Sequence, residues 1–165
     1  MSPSFTLRDA TEADLPDIVR LVRALAAYEK LLHEAVGTEA DFRAALFGPN
    51  PSVFCTLAEA EGKLVGQAIW FLNFSTFTGR HGLYVEDIFV EPEYRGLGIG
   101  EAFFRHLAAL CAARGWARME WQVLDWNEPA IRFYRKIGAR GMDEWRVQRV
   151  AGEALHALAA KGSAR

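Results

Sequence analysis

The sequence predicts an α/β chain with a central sheet of mixed direction and helices on both faces. Two features of the pattern lead there. Short β-prone runs fill the first half, and a hairpin signal at Glu61-Gly62 joins two of them. From residue 83 onward the pattern changes to a strand followed by a helix, twice over. Meander strands followed by strand–helix units give a sheet that is mostly antiparallel and then acquires covering helices.

The elements follow in order. Phe5-Thr6-Leu7-Arg8 alternates as a half-buried strand, and Thr11 with Asp14 forms a capping-box pattern that opens a helix. Leu15, Ile18, Val19, Val22, Leu25 and Ala26 make one apolar stripe at helical spacing, which carries that helix to about Tyr28. Thr38 caps a short helix through Phe47, and Gly48-Pro49-Asn50-Pro51 forces a turn. Residues 53–60 and 63–74 read as strands, Ser75 to Gly82 as a loop, and 83–90 as a further strand. A helix then ends near Arg114-Gly115, and Trp116 to Leu124 reads as a strand. Asp125 to Pro129 turns into a helix bearing Ala130, Ile131, Phe133, Tyr134 and Ile137, stopped by Gly138. A last strand around Trp145 to Val150 and a short amphipathic helix complete the pattern.

At 165 residues the chain is long enough to bury its own core and reads as a single domain over 1–165. A hydrophobic share of 51% with 12% aromatic residues excludes a disordered chain. The 19 basic and 21 acidic residues nearly cancel, so no basic field for nucleic acid arises. No apolar run reaches the ~18 residues of a membrane span, and no signal-peptide pattern is present, so a cytoplasmic protein without membrane partners is expected. Cys55 and Cys111 lie among apolar residues and read as small buried side chains. His33, His81, His106 and His156 show no ligand spacing, and no metal is assigned.

The stretch from Val85 to Gly100 carries the chemistry. Residues 88–90 are apolar and β-prone, Pro92 stops the strand, and Ile99, Phe103, Leu107 and Leu110 recur at helical spacing. The glycines therefore sit where a helix begins. There the first amide N–H groups lack intrahelical partners and carry the positive end of the helix dipole. Gly96, Gly98 and Gly100 let the backbone close on an anion, and Arg95 adds a fixed charge. A dinucleotide fingerprint needs glycine where Glu101 stands, and a P-loop needs Gly-Lys-Ser/Thr, so both are excluded.

Arg-Gly-x-Gly-x-Gly instead resembles the pyrophosphate-binding loop of the GNAT superfamily of acyl-CoA-dependent N-acetyltransferases. Glu86-Asp87-Ile88-Phe89-Val90 before it and Val123 to Ala139 after it extend the likeness. So does the aromatic–Glu pair Tyr28-Glu29. Together these are similar to the spermidine/spermine (diamine) branch and its thialysine acetyltransferase relatives. Asp143-Glu144-Trp145 stands where the branch usually reads Glu-Gly-Trp.

The resemblance implies a splayed strand pair that holds acetyl-CoA as co-substrate. Ile88, Phe89 and Val90 would offer backbone groups to the pantetheine arm. Arg95, Gly96, Leu97, Gly98, Ile99, Gly100 and Glu101 would cradle the pyrophosphate, and Asn127 and Pro129 would line the cleft. Tyr134 lies at the position of the family's general acid, where a phenol can protonate the departing thiolate. Glu86 is the candidate base, directly or through water, because an amine of pKa near ~10 arrives protonated. Strand alternation puts Glu86 and Asp87 on opposite faces, so one of them faces the cleft. Tyr28 and Glu29 would form the far wall of the amine site, while Trp126 and Trp145 pack either the alkyl chain or the core.

The function implied is direct acetyl transfer, in a ternary complex, to a primary amine of a small polyamine, diamine or lysine-like acceptor. A protein N-acetyltransferase and a non-catalytic acyl-CoA sensor are the alternatives. The family's usual homodimer is the expected assembly.

Overall fold

The computed structural model describes residues 4–162. They form two compact parts, one up to Leu124 and one from Asp125 onward.

The first part begins with β1 (Phe5–Asp9). A single helical turn then leads into α1 (Leu15–Tyr28). The Asp14 carboxylate accepts from the Thr11 N–H at 2.8 Å and from its hydroxyl at 2.9 Å, closing the expected box. The same carboxylate takes both terminal nitrogens of Arg8 at 2.8 Å, which ties the start of α1 to β1 and holds Asp14 well below the usual carboxylate range. Helix α2 (Glu39–Phe47) starts at the reciprocal cap between Thr38 and Asp41.

Strands β2 (Phe54–Ala60), β3 (Lys63–Ser75) and β4 (Arg80–Val90) form a continuous antiparallel meander. The expected loop over 75–82 shrinks to a tight turn, because Ser75 and Phe74 pair with Arg80 and His81. Helix α3 (Ile99–Arg114) ends at Gly115 in the left-handed conformation, as its sequence implies. The strand expected over 116–124 is reduced to β5 (Met119–Glu120), paired in parallel with Leu83 and Tyr84. The sheet order is β1-β2-β3-β4-β5.

Each sheet face has its own core. Ile18 of α1 and Leu46 of α2 pack with Cys55, Leu57, Leu64 and Ile69 on one side. On the other, a Cβ at Gly66 would stand 2.8 Å from the Phe89 carbonyl oxygen and 3.4 Å from the Phe103 ring, so α3 packs down on bare backbone there. Phe103, Leu107 and Ile99 of α3 are almost completely buried, at ~1.5–3 kcal/mol for each large apolar side chain. Both cysteines are buried and free, as their surroundings suggest.

The second part holds α4 (Glu128–Lys136) and α5 (Gly152–Gly162). Among the described residues, 145–150 form no strand: Trp145, Val147 and Val150 supply β-propensity, but a strand exists only when its backbone groups find a partner. Among the described residues no helix is long and apolar enough to cross a membrane, and no group of three or more His, Cys, Asp or Glu is placed to hold a metal ion.

Candidate active site

Two features of β4 build the site in the first part. The first is its free edge. Beyond Tyr84, β4 has no strand partner on the β5 side among the described residues, so its backbone from Val85 toward Val90 is open to an added extended segment up to the Val90 carbonyl, which Arg95 occupies. That stretch includes Ile88, Phe89 and Val90, where the resemblance puts the pantetheine arm.

Past Val90 the chain makes one helical turn, Pro92–Tyr94, and then the glycine loop. Gly96 and Gly98 adopt φ of 80° and 86°, a region that L side chains rarely occupy. A Cβ at either meets nothing within 4 Å, so backbone conformation demands glycine there and the surrounding space is open. Leu97 separates the two, and Ile99, Gly100 and Glu101 form the first turn of α3, whose amides lack i−4 partners inside the helix. An open glycine cradle at a helix start, beside a free strand edge, fits an acyl-CoA co-substrate: amide N–H groups for the pyrophosphate and strand groups for the pantetheine amides. Arg95 stands between them. Its Nε donates to the Val90 carbonyl at 3.0 Å, and its guanidinium carbon lies 4.9 Å from the Tyr28 ring centre and 5.6 Å from that of Phe89.

The second feature is a bulge. Ile69 opposes Asp87 and Trp70 opposes Val85, leaving Glu86 as an extra residue in β4. Directly opposed residues share a sheet face, so Asp87 joins Ile69, Cys55 and Leu57 on the α1 side, whereas Val85 joins Trp70 on the other. Glu86 is exposed at the bulge, and Asp87 is partly buried. Burial, with the negative charges of Glu86 and then Glu29 nearby, raises the Asp87 carboxyl to about 6. Burial raises Glu29, at the end of α1, as well. The structure thus sets Glu86 and Glu29 near a carboxyl to which sequence reasoning gave no role, with Arg95 over the rings of Tyr28 and of Phe89, two residues along β4. The run Glu86-Asp87 was visible; the bulge that selects between its two acids was not.

Asn127, Pro129 and Tyr134 belong to the second part. The Asn127 side chain caps α4 by accepting from the Ala130 N–H at 3.4 Å, and Pro129 occupies the first turn, where its missing N–H costs nothing. Tyr134 stands two turns from the helix start with its ring 5.5 Å from that of Phe133, and its carbonyl accepts from the Ala139 N–H beyond Gly138.

Comparison with known proteins shows the family and the fold. The model of the "Acetyltransferase (GNAT) family" matches residues 19–139. The thialysine N-epsilon-acetyltransferase of Sus scrofa is 40% identical over 169 residues, covering 96% of this chain and 99% of that protein. A spermidine/spermine N(1)-acetyltransferase-like protein 1 of Homo sapiens is 36% identical over 142 residues, which is 82% of this chain and 20% of the human one. Among solved structures, an integron cassette protein from the mobile metagenome of V. cholerae superposes with a TM-score of 0.79 at 27% identity, covering 96% of this chain and 98% of that one. Family model, relatives and fold all converge: the chain is an N-acetyltransferase of the GNAT family and resembles its thialysine and spermidine/spermine branch.

Proposed function

We propose that the chain transfers the acetyl group of acetyl-CoA to a primary amine of a small acceptor bearing a second positive charge: a diamine, a polyamine or a lysine-like amino acid such as thialysine. The carrying observation is the partly buried Asp87, raised to about 6 and flanked by Glu86 and Glu29. Such a cluster attracts a dication and offers one of its ammonium groups a proton acceptor.

Proton removal is the difficult step. An ordinary carboxyl of 3.8 faces an ammonium near ~10, whereas Asp87 at about 6 narrows that gap by roughly two units, or ~3 kcal/mol. In this reading Asp87 and Glu86 share the base's work, Glu86 reaching solvent from the bulge. Tyr28 and Glu29 hold the distal ammonium.

When bound along Ile88–Val90, the loop 95–101, Asn127 and Pro129, acetyl-CoA supplies a thioester whose carbonyl carbon the amine attacks, with the thiolate leaving. Tyr134 gives its phenolic proton to that thiolate, and the proton taken by the carboxylates returns to solvent. Direct transfer suits the cysteines: burial pushes the Cys55 thiol up to about 12 and raises Cys111, so neither is a ready nucleophile. A homodimer working in the cytoplasm completes the reading.

Thiol release from acetyl-CoA, measured against thialysine, lysine, spermidine, spermine, putrescine and a short peptide, tests it. Saturable turnover with a dicationic small amine is expected, and turnover with the peptide alone would overturn it. In the same assay Tyr134→Phe should lower kcat by ~10²-fold or more with calorimetric acetyl-CoA affinity unchanged. Parallel loss of binding would make Tyr134 structural.

A further inference from the structure

Gln67 is an uncharged amide buried within the sheet that the proposed chemistry does not use. It is completely buried in the middle of β3, and neither Oε1 nor Nε2 has a hydrogen-bond partner among the described residues. Its directly opposed neighbours are Leu57 on β2 and Phe89 on β4. Two residues along its own strand lies Ile69, and α1 covers this face with the fully buried Ile18 and Leu21. A carboxamide among such residues loses its water and gains nothing, unless a polar group lies within reach.

The register offers a candidate: Asp87 opposes Ile69, so on the shared face it is the diagonal neighbour of Gln67 across β3 and β4, and the two are not hydrogen-bonded in the structure. Diagonal positions of an antiparallel pair lie within the span of long side chains, and glutamine has three rotatable bonds. The bulge at Glu86 creates this relation, because unbroken alternation from Val85 would put Asp87 on the opposite face.

We propose that Gln67 is a positioning residue for Asp87: when Asp87 ionises, the Gln67 side chain turns beneath α1 so that its Nε2–H donates to the carboxylate, steadying the oxygen that faces the amine. The inference rests on the reading of Asp87 as the amine-facing acid. It gives the buried carboxamide its partner and gives the carboxylate a neutral donor in a setting that otherwise opposes its charge. The charged and titratable groups around Asp87 are Glu86 on its own strand, Glu29 at the end of α1 and the Cys55 thiol on β2, with Arg95 held over the neighbouring Phe89 ring. Glu86 and Glu29 oppose the carboxylate's charge, and the neutral Cys55 thiol donates instead to the Thr56 carbonyl.

The test compares wild type with Gln67→Leu, which removes both polar atoms at similar volume. Asp87 is titrated in the free protein by carboxyl-carbon NMR, and kcat/KM is followed against pH. Loss of a donor to the charged form should move the Asp87 titration upward by between about half a unit and one unit. The acid limb of kcat/KM should move with it, and at neutral pH the thermal midpoint should fall slightly, because the ionised carboxylate has lost its donor. An unmoved Asp87 titration beside a raised midpoint would reduce Gln67 to an inert core amide and overturn the proposal. Should Gln67→Leu fail to fold, Gln67→Met answers the same question by the same titration. Asp87→Asn separates the two readings: if the acid limb persists in it, Asp87 is not the base, and the NMR shift still decides whether Gln67 pairs with it.

Discussion

The two faces of the sheet follow different rules. Under α3 the sheet presents Gly66, Ala68, Trp70, Leu83 and Val85, and the buried polar contact there is local, the Trp70 indole donating to the Thr56 hydroxyl at 3.4 Å. Under α1, an equally apolar floor of Cys55, Leu57 and Ile69 also carries Gln67 and Asp87. Both faces bury large side chains, and the second also holds the carboxyl of Asp87 partly away from water. The first is built for cohesion. In the proposed reading the second gives up some cohesion to hold a group whose ionisation the chemistry uses, as expected where function and stability compete for the same residues.

The sharpest way to break the comparison is to injure each face once. Phe103 is fully buried between α3 and the sheet, and Phe103→Ala should cost about 3–5 kcal/mol in urea unfolding while leaving the pH dependence of kcat/KM in place at a temperature where the variant is folded. Asp87→Asn should do the reverse. Asp87 keeps its proton up to about pH 6 in the folded chain against an ordinary 3.8, so the stability it contributes is complete below pH 3.8 and lost as pH rises through about 6. At pH 8 the ionised group costs at most about 3 kcal/mol, and the amide, which never ionises, should recover about 1–3 of it. Below pH 4 the gain should vanish, and at every pH kcat/KM should fall by roughly 10²–10⁴-fold. Equal stability of the two proteins at pH 8 would mean that this face does not oppose the charge.

Why the faces differ was only partly legible in the sequence. The Glu61-Gly62 hairpin, the boxes at Thr11 and Thr38, the end of α3 at Gly115 and the glycine loop are all local signals, and each was readable because the residues that make it lie within a few positions of one another. The start of β4 was missed because Arg80 and His81 look like loop residues until β3 offers them a ladder. Trp116 to Leu124 looked like a full strand because its composition is β-prone, but β5 lasts only where β4 stays beside it. Asp87 was hidden for a related reason: the bulge depends on the register of β3 against β4, which no window of sequence contains. Gln67 did leave a trace, as a lone polar residue in the apolar run from Leu64 to Leu72.

The smallest expected effect lies where the two halves of the site meet. Arg95 donates to the Val90 carbonyl, at the end of the free edge of β4, and also lies over Tyr28, at the end of the helix that covers the acidic face. If its role is to present positive charge to the pyrophosphate, Arg95→Ala should weaken acetyl-CoA binding by about tenfold in calorimetry, the ~1.4 kcal/mol of one charge-assisted contact. The amine KM should then change less, because the acids that attract the amine are untouched. If instead the stacking on Tyr28 is what shapes the amine wall, the amine KM should rise by at least as much as the acetyl-CoA affinity falls. Arg95→Lys sharpens the choice: it keeps the charge but loses the planar group that lies over two rings and the Nε–H that reaches Val90. Acetyl-CoA affinity close to wild type in Arg95→Lys, with a raised amine KM, would assign the residue to the acidic face; acetyl-CoA affinity and amine KM both close to wild type, against the weakened acetyl-CoA binding of Arg95→Ala, would assign its charge to the glycine loop.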